Sequence, residues 1–185
     1  MKPDQIIHQL KQMSNPQNVA GMVRFGIRTE SALGIPIPEL RKFAREVGSN
    51  HLLAQQLWQT NIHEARLLAA FIDDPRQVNK QQMEQWALDF NSWDICDQVC
   101  NHLFRKTPFA HQMALKWSRA QAEFVKRAGF VLMAVLAVHD KKSGDQPFLD
   151  FLKIIQQESQ DERNFVKKAV NWALRRLVNE ISVYT

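Results

Sequence analysis

The sequence lacks the features that mark membrane, secreted and disulfide-stabilised proteins. Only two of its 185 residues are cysteines, Cys96 and Cys100, which is too few for a disulfide framework. The longest apolar run, residues 130–138, is far too short to cross a bilayer, and the first residues contain no apolar segment followed by a cleavage site. We therefore expect a soluble cytoplasmic protein with no membrane partner, in which both cysteines are reduced core thiols.

Short motifs of nucleotide-binding and hydrolytic enzymes are absent as well. The sequence contains no glycine-rich phosphate loop, no dinucleotide fingerprint and no GxSxG elbow. His102 lies near the two cysteines but projects about half a helical turn away from them, and His63-Glu64 lacks the second histidine of a helical zinc motif. We predict no metal site, no nucleotide cofactor and no other cofactor.

Helical periodicity is present along the whole chain. Apolar residues recur at the spacing of one helix face, and no stretch combines β-branched residues with turn signals. Prolines and glycines separate the periodic segments, and neither a Gly/Ser linker nor a change in composition divides the chain. We predict one all-α domain over residues 1–185, with helices at 3–13, 16–25, 37–47, 51–59, 62–72, 79–89, 92–105, 108–119, 123–139, 146–158 and 162–181.

An internal echo indicates how these helices are arranged. The pentapeptide FVKRA at residues 124–128 returns as FVKKA at residues 165–169, and a period near 40 residues is typical of HEAT-like and armadillo repeats. A cation pair lies in the middle of both copies. The spacing predicts a solenoid of stacked antiparallel helix pairs, with basic residues in register along one concave groove.

The charge distribution agrees with a polyanionic partner. The formal net charge is +5, and residues 101–185 hold 14 Lys and Arg against 8 Asp and Glu, whereas residues 1–100 hold 10 against 11. An excess of cations in one half is compatible with nucleic-acid binding but does not by itself distinguish it from other functions.

Three helices carry candidate functional residues. Helix 123–139 is apolar on nearly every side, so it should lie in the middle of the stack, and Arg127 in its first turn then needs either an internal carboxylate or a phosphate. On the last helix, Trp172 lies among cations, away from the apolar face. It either packs against a neighbouring repeat or forms a stacking wall in a basic groove. The apolar face comprises Val166, Ala169, Val170, Ala173, Leu174, Leu177 and Ile181.

The third helix begins at the segment NSWDICD. Trp93 and Asp97, spaced i and i+4, project together at the margin of its apolar stripe. A carboxylate beside an indole at such an edge is a shielded anion that can stabilise a developing positive charge. The alternative is an ordinary surface aspartate or a partner for an arginine.

The segments NSWDICD, FVKRAGF and VKKAVNWALRR together resemble the bacterial DNA alkylation repair family, the AlkD-like alkylpurine DNA glycosylases built on HEAT-like repeats. The resemblance covers most of the chain. It implies that Asp97, Trp93 and Trp172 line the cleft beside the deoxyribose of a damaged nucleotide and that Arg127 helps to hold the DNA backbone. Phe25 falls near an aromatic residue that contacts DNA in this family.

The activity implied is hydrolysis of the N-glycosidic bond of cationic N3- or N7-alkylpurines in duplex DNA. Alkylation makes the base a good leaving group, so one carboxylate, Asp97, suffices to stabilise the oxocarbenium-like sugar, and the rings of Trp93 and Trp172 face the same cation. The implied partner is duplex DNA that contains alkylated bases, bound mainly through its phosphates. Candidates for those contacts are Arg127, Lys168, Arg175 and Arg176.

Family members continue with further helices past the tryptophan-bearing helix, whereas this sequence ends at Thr185. We therefore expect the last helices of the family to be missing. Two other functions compete with the glycosylase. A catalytically silent HEAT-like module would bind DNA structure or a protein partner without releasing a base, and a protein-binding scaffold would have no salt-dependent affinity for DNA.

Overall fold

The computed structural model describes the backbone of residues 1–182 and the side chains of residues 1–180. Within these residues it contains eleven α-helices, one 3-10 turn and no strand, which confirms the all-α prediction. The helices form two compact units, Met1–Val78 and the residues from Asn79 onward. The single domain stays a prediction. None of the helices in the described residues is long and apolar enough to cross a membrane.

The first unit consists of five helices. They are α1 (Pro3–Gln12), α2 (Pro16–Val23), α3 (Ile37–Val47), α4 (His51–Trp58) and α5 (His63–Ile72). Asparagine caps begin two of them, because the side chains of Asn15 and Asn50 accept hydrogen bonds from backbone N–H groups of the first turn. Helix α5 packs against α1, α3 and α4 and is buried along almost its whole length.

A buried carboxylate joins α5 to the loop that precedes α3. Glu64 accepts hydrogen bonds from the backbone N–H groups of Leu33 and Gly34, both at 2.7 Å, and of Ile35 at 3.3 Å. Gly34 has a φ of +76°, and a Cβ at this position would lie 2.3 Å from the carbonyl oxygen of Asn15. The loop therefore requires glycine here.

The second unit consists of six helices and the 3-10 turn. They are α6 (Lys80–Leu88), α7 (Trp93–His102), the turn Phe104–Lys106, α8 (Ala110–Trp117), α9 (Glu123–His139), α10 (Gln146–Gln157) and α11 (Asn164–Ser182). Helix α9 packs against the five other helices of this unit and is buried from Val125 to Ala137. This confirms its predicted place in the middle of the stack. It approaches α8 closely, because Gly129 faces the backbone of Ser118.

Helices α7, α9 and α11 begin at Trp93, Glu123 and Asn164, which are 30 and then 41 residues apart. The second interval is wider because α9 and α10 are longer than α7 and α8. The repeat detected in the sequence is thus the beginning of α9 and of α11, and α7 begins a third copy that has no similar pentapeptide.

Two details differ from the sequence prediction. The helix predicted over 92–105 ends at His102, and the chain continues as the 3-10 turn before Pro108. Leu174, predicted on the apolar face of α11, is 39 % exposed, whereas Val166, Ala169, Val170, Ala173 and Leu177 are buried as predicted. The side chain of Ile181 lies outside the described residues.

Candidate functional site

The candidate site is built from equivalent positions of successive helices. Asp97, Arg127 and Lys168 are each the fifth residue of their helix, in α7, α9 and α11. Helix α9 packs against both α7 and α11. The first two of these side chains therefore meet, and the third belongs to the same register on the next helix.

Asp97 and Arg127 form a bidentate ion pair. Arg127 Nε donates to Asp97 Oδ1 at 2.9 Å, and Arg127 Nη2 donates to Asp97 Oδ2 at 2.8 Å. The third guanidinium nitrogen, Nη1, donates to the backbone carbonyl of Phe165 at 2.7 Å. Of the two partners left open by the sequence, carboxylate or phosphate, the structure shows the carboxylate. All three nitrogens of the guanidinium are engaged, so its orientation is defined by α7 and α11 together.

The ion pair is mostly buried, but solvent still reaches part of it. The side chain of Arg127 is 7 % exposed and that of Asp97 is 17 % exposed. Burial raises the pKa of the Asp97 carboxyl above its ordinary value, although the hydrogen bonds and charge of Arg127 oppose this shift. The structure thus holds a carboxylate with limited access to water, paired with a cation that cannot lose its proton.

Trp93 completes this cluster. Arg127 Cζ lies 6.0 Å from the centroid of the Trp93 ring, at the outer limit of a cation–π contact. Trp93 is half-buried and lies one turn before Asp97 on α7. The predicted projection of the indole and the carboxylate from one side of α7 agrees with their shared contact to Arg127.

The remaining candidates lie on α11 and in the first unit. Trp172 is half-buried one turn after Lys168, and Lys168, Arg175 and Arg176 are exposed. Phe25 follows α2 and is 69 % exposed. The stacking role of Trp172, the phosphate contacts of the three cations and the DNA contact of Phe25 stay predictions, as does the concave groove.

Sequence reasoning missed a second buried cation beside Arg127. Lys126 Nζ forms ion pairs with Glu158 at 2.6 Å and with Asp161 at 2.8 Å, and its side chain is 9 % exposed. Asp161 in turn binds Arg163, which donates to the backbone carbonyl of Gln121. The sequence contained the information needed to predict this pairing. A lysine in the apolar helix α9 requires carboxylate partners, and carboxylates follow α10.

Both cysteines are free and buried on the inner side of α7, as predicted. Burial is the main reason that the pKa of the Cys96 thiol is raised, so this side chain remains a neutral thiol. Among the described residues, no group of three His, Cys, Asp or Glu side chains is arranged to hold a metal ion.

Comparisons with known proteins agree with this architecture. An uncharacterized protein of Listeria innocua serovar 6a is 25% identical over 131 residues, which are 69% of this chain and 58% of that relative. The chain thus spans little more than half of the relative's length. A solved structure, described as a new family of proteins related to the HEAT-like repeat DNA glycosylases with affinity for branched DNA structures, matches with a TM-score of 0.88. The match covers 99% of this chain and 78% of the chain in the solved structure, at 18% sequence identity.

A likeness at this identity shows the fold, which is the all-α HEAT-like repeat fold predicted from the sequence. The family evidence is independent of it, because the sequence pattern of the DNA alkylation repair enzymes matches residues 6–180, nearly the whole chain. The chain belongs to the DNA alkylation repair enzyme family.

Proposed function

We propose that this protein is a DNA glycosylase that hydrolyses the N-glycosidic bond of cationic N3- or N7-alkylpurines in duplex DNA. The observation that carries the proposal is the carboxylate of Asp97, which is 17 % exposed and is held by Arg127 beside Trp93 in a chain of this family. Its remaining lone pairs and its exposed edge are available to a substrate.

The chemistry needs one carboxylate because the substrate supplies the rest. The bond between C1′ and the purine nitrogen breaks, and its electron pair returns to the cationic base, which leaves neutral. A water molecule attacks C1′ and releases a proton to the solvent, so that the products are an abasic sugar, the free neutral alkylpurine and one proton. Asp97 stabilises the oxocarbenium-like sugar and orients the water, while Trp93 and Trp172 offer their ring faces to the positive charge.

Arg127 acts in this scheme as a positioning residue. Each oxygen of Asp97 accepts one hydrogen bond from Arg127, which leaves a second lone pair on each oxygen for the water or the sugar. The engaged guanidinium holds the carboxylate in one rotamer, and this preorganisation strengthens its interaction with the developing charge.

A second function, binding of DNA without base release, is favoured by a different observation. Both oxygens of Asp97 are already occupied by a buried guanidinium, and a carboxylate neutralised in this way stabilises a cation less well than a free one. The structural relative described as having affinity for branched DNA also supports this alternative.

Base release separates the two functions. We expect the protein to release 7-methylguanine from methylated duplex DNA at low salt, and Asp97→Asn to lose most of this rate while still binding the duplex. Asp150→Asn is the matched control, because it removes the same charge from a side chain of α10 that is 46 % exposed, and it should leave the rate unchanged. Thermal melting of each variant checks that it folds.

Two results would count against the proposal. If the wild type binds duplex DNA but releases no base, the glycosylase is wrong and the binding function stands. If both aspartate variants lose the rate equally, Asp97 is not the carboxylate that acts on the sugar.

A further inference from the structure

A second cluster of cations lies at the other end of the helices that carry Asp97 and Arg127. A cavity of about 460 Å³ opens there between the 3-10 turn after α7, the beginning of α8 and the end of α9. Its charged and titratable lining consists of Arg105, Lys106, His111, His139, Asp140 and Lys142.

Three cations of this cavity, Arg105, Lys106 and Lys142, form no ion pair in the described part of the chain. Arg105 donates from Nε to the backbone carbonyl of Asn101, which leaves its terminal nitrogens available. Lys106 and Lys142 form no ion pair with any described residue, whereas several other lysines of this unit do. Lys106 and Lys142 are exposed, and a cleft lined by cations without counterions raises the local concentration of anions.

The one carboxylate in the lining does not neutralise them. Asp140 accepts hydrogen bonds from the Ser143 hydroxyl and from the backbone N–H groups of Lys142 and Ser143, and it contacts His111 Nε2 at 2.7 Å. These hydrogen bonds outweigh burial and lower the pKa of Asp140. Its charge is thus satisfied by its own loop and by His111.

Desolvation, and after it the repulsion from neighbouring cations, makes the charged forms of Lys106 and His139 costly. Desolvation and the neighbouring Arg105 lower the pKa of Lys106. Desolvation, followed by Arg105, Lys141 and Arg176, lowers the pKa of His139. An anion placed among these groups would relieve the repulsion.

We propose that this cavity binds a backbone phosphate of the same DNA molecule whose sugar lies at Asp97. Arg105 supplies a planar donor that matches a phosphate, and Lys106 and Lys142 supply point charges on either side. The site is displaced from the ion pair by the twelve residues from Arg127 to His139, which is about 18 Å along α9. This corresponds to roughly five nucleotides of one strand. The assignment to the same DNA molecule rests on the proposed function.

The test is the salt dependence of binding to unmodified duplex DNA, which requires no base release. We expect Lys106→Gln combined with Lys142→Gln to weaken binding roughly tenfold at low salt and to reduce the slope of log K against log [salt] by about 0.9 for each phosphate that is no longer neutralised. Lys116→Gln combined with Lys153→Gln is the control, because it removes the same charge from two exposed lysines that are paired with Glu84 and Asp150.

Equal affinities and slopes for the two double variants would overturn the site. Inorganic phosphate is the second probe. If it displaces duplex from the wild type more strongly than chloride at equal ionic strength, and not from Lys106→Gln with Lys142→Gln, the free ion and the DNA backbone compete for the cavity, as the proposal requires. If the wild type binds phosphate through these lysines and no duplex is displaced, the cavity is a site for the free ion and the backbone assignment is wrong. If the salt slopes are as expected but no base is released, the phosphate site is supported and the glycosylase proposal is wrong. The failure of one proposal can therefore be distinguished from the failure of the other.

Discussion

The two copies of the repeated pentapeptide place the same residues in different surroundings. In α9, Lys126 and Arg127 are buried and paired with three carboxylates, Glu158, Asp161 and Asp97. In α11, the equivalent Lys167 and Lys168 are exposed. The copies touch through their phenylalanines, since the rings of Phe124 and Phe165 lie 5.4 Å apart.

The difference follows from the neighbours of each helix. Helix α9 is covered by the five other helices of its unit, whereas α11 packs mainly against α9 and α10. A cation on the covered helix needs a carboxylate partner within the protein, because an unpaired buried charge is costly. A cation on the less covered helix remains hydrated and available to an external phosphate. One repeat position thus holds a buried, paired cation in the first copy and an exposed cation in the second.

Removing the cation from each copy should give the largest contrast. Arg127→Gln leaves the Asp97 carboxylate shielded without its partner, and we expect the free energy of unfolding to fall by about 3 kcal/mol or more. Lys168→Gln removes a hydrated charge and should change the free energy by less than about 0.5 kcal/mol. Urea denaturation measures both. Similar losses in the two variants would contradict the assigned difference in burial.

The same contrast extends to the next turn of the helices. Gly129 of α9 corresponds to Val170 of α11, and a Cβ on Gly129 would lie 2.4 Å from the backbone nitrogen of Ser118. Gly129→Ala must push α8 and α9 apart, and we expect it to destabilise the fold by about 1–3 kcal/mol. The control is Gly21→Ala in α2, where the new Cβ meets nothing within 4 Å and should stabilise the helix by up to about 1 kcal/mol.

Thermal and urea unfolding of these two variants should therefore shift in opposite directions. If Gly129→Ala is as stable as the wild type, the close approach of α8 and α9 is wrong.

The smallest predicted effect concerns the two carboxylates that pair with α9. Burial raises the pKa of Asp97 above 3.8, whereas Arg163, followed by Lys126, lowers that of Asp161 below 3.8. The contribution of Asp161 to stability is complete above pH 3.8 and is lost as the pH falls through its lowered pKa. The favourable contribution of protonated Asp97 is complete below pH 3.8 and is lost as the pH rises through its raised pKa.

Titration of the two carboxyl carbons by NMR measures these shifts directly, against the ordinary value of 3.8 for an aspartate. If the pKa values of Asp97 and Asp161 both lie below 3.8, burial does not outweigh the ion pair at Asp97.

Much of this fold follows from local sequence. The periodicity and the prolines predicted all eleven helices to within a few residues. This was possible because the residues that begin and end each helix lie within or next to that helix in the sequence. The apolar sequence of α9 likewise predicted its burial.

The pairings within the site required the structure. The sequence showed that Arg127 needed an anion, but Asp97 lies 30 residues earlier, and only the packing of α7 on α9 brings the two together. Lys126 was missed because its partners, Glu158 and Asp161, belong to the segment that joins α10 to α11. The register of one helix against another is a property of the whole core, which a single helix does not encode.

The hydrogen bond from Arg127 to residue 165 also affects how this site can evolve. Its acceptor is a main-chain carbonyl, which is present whatever amino acid occupies that position. Substitutions at residue 165 can alter the ring contact with Phe124 but cannot delete the acceptor. Substitution of residue 165 therefore preserves the hydrogen bond from the Arg127 guanidinium as long as α11 keeps its position. Only a change that displaces α11 removes this hydrogen bond.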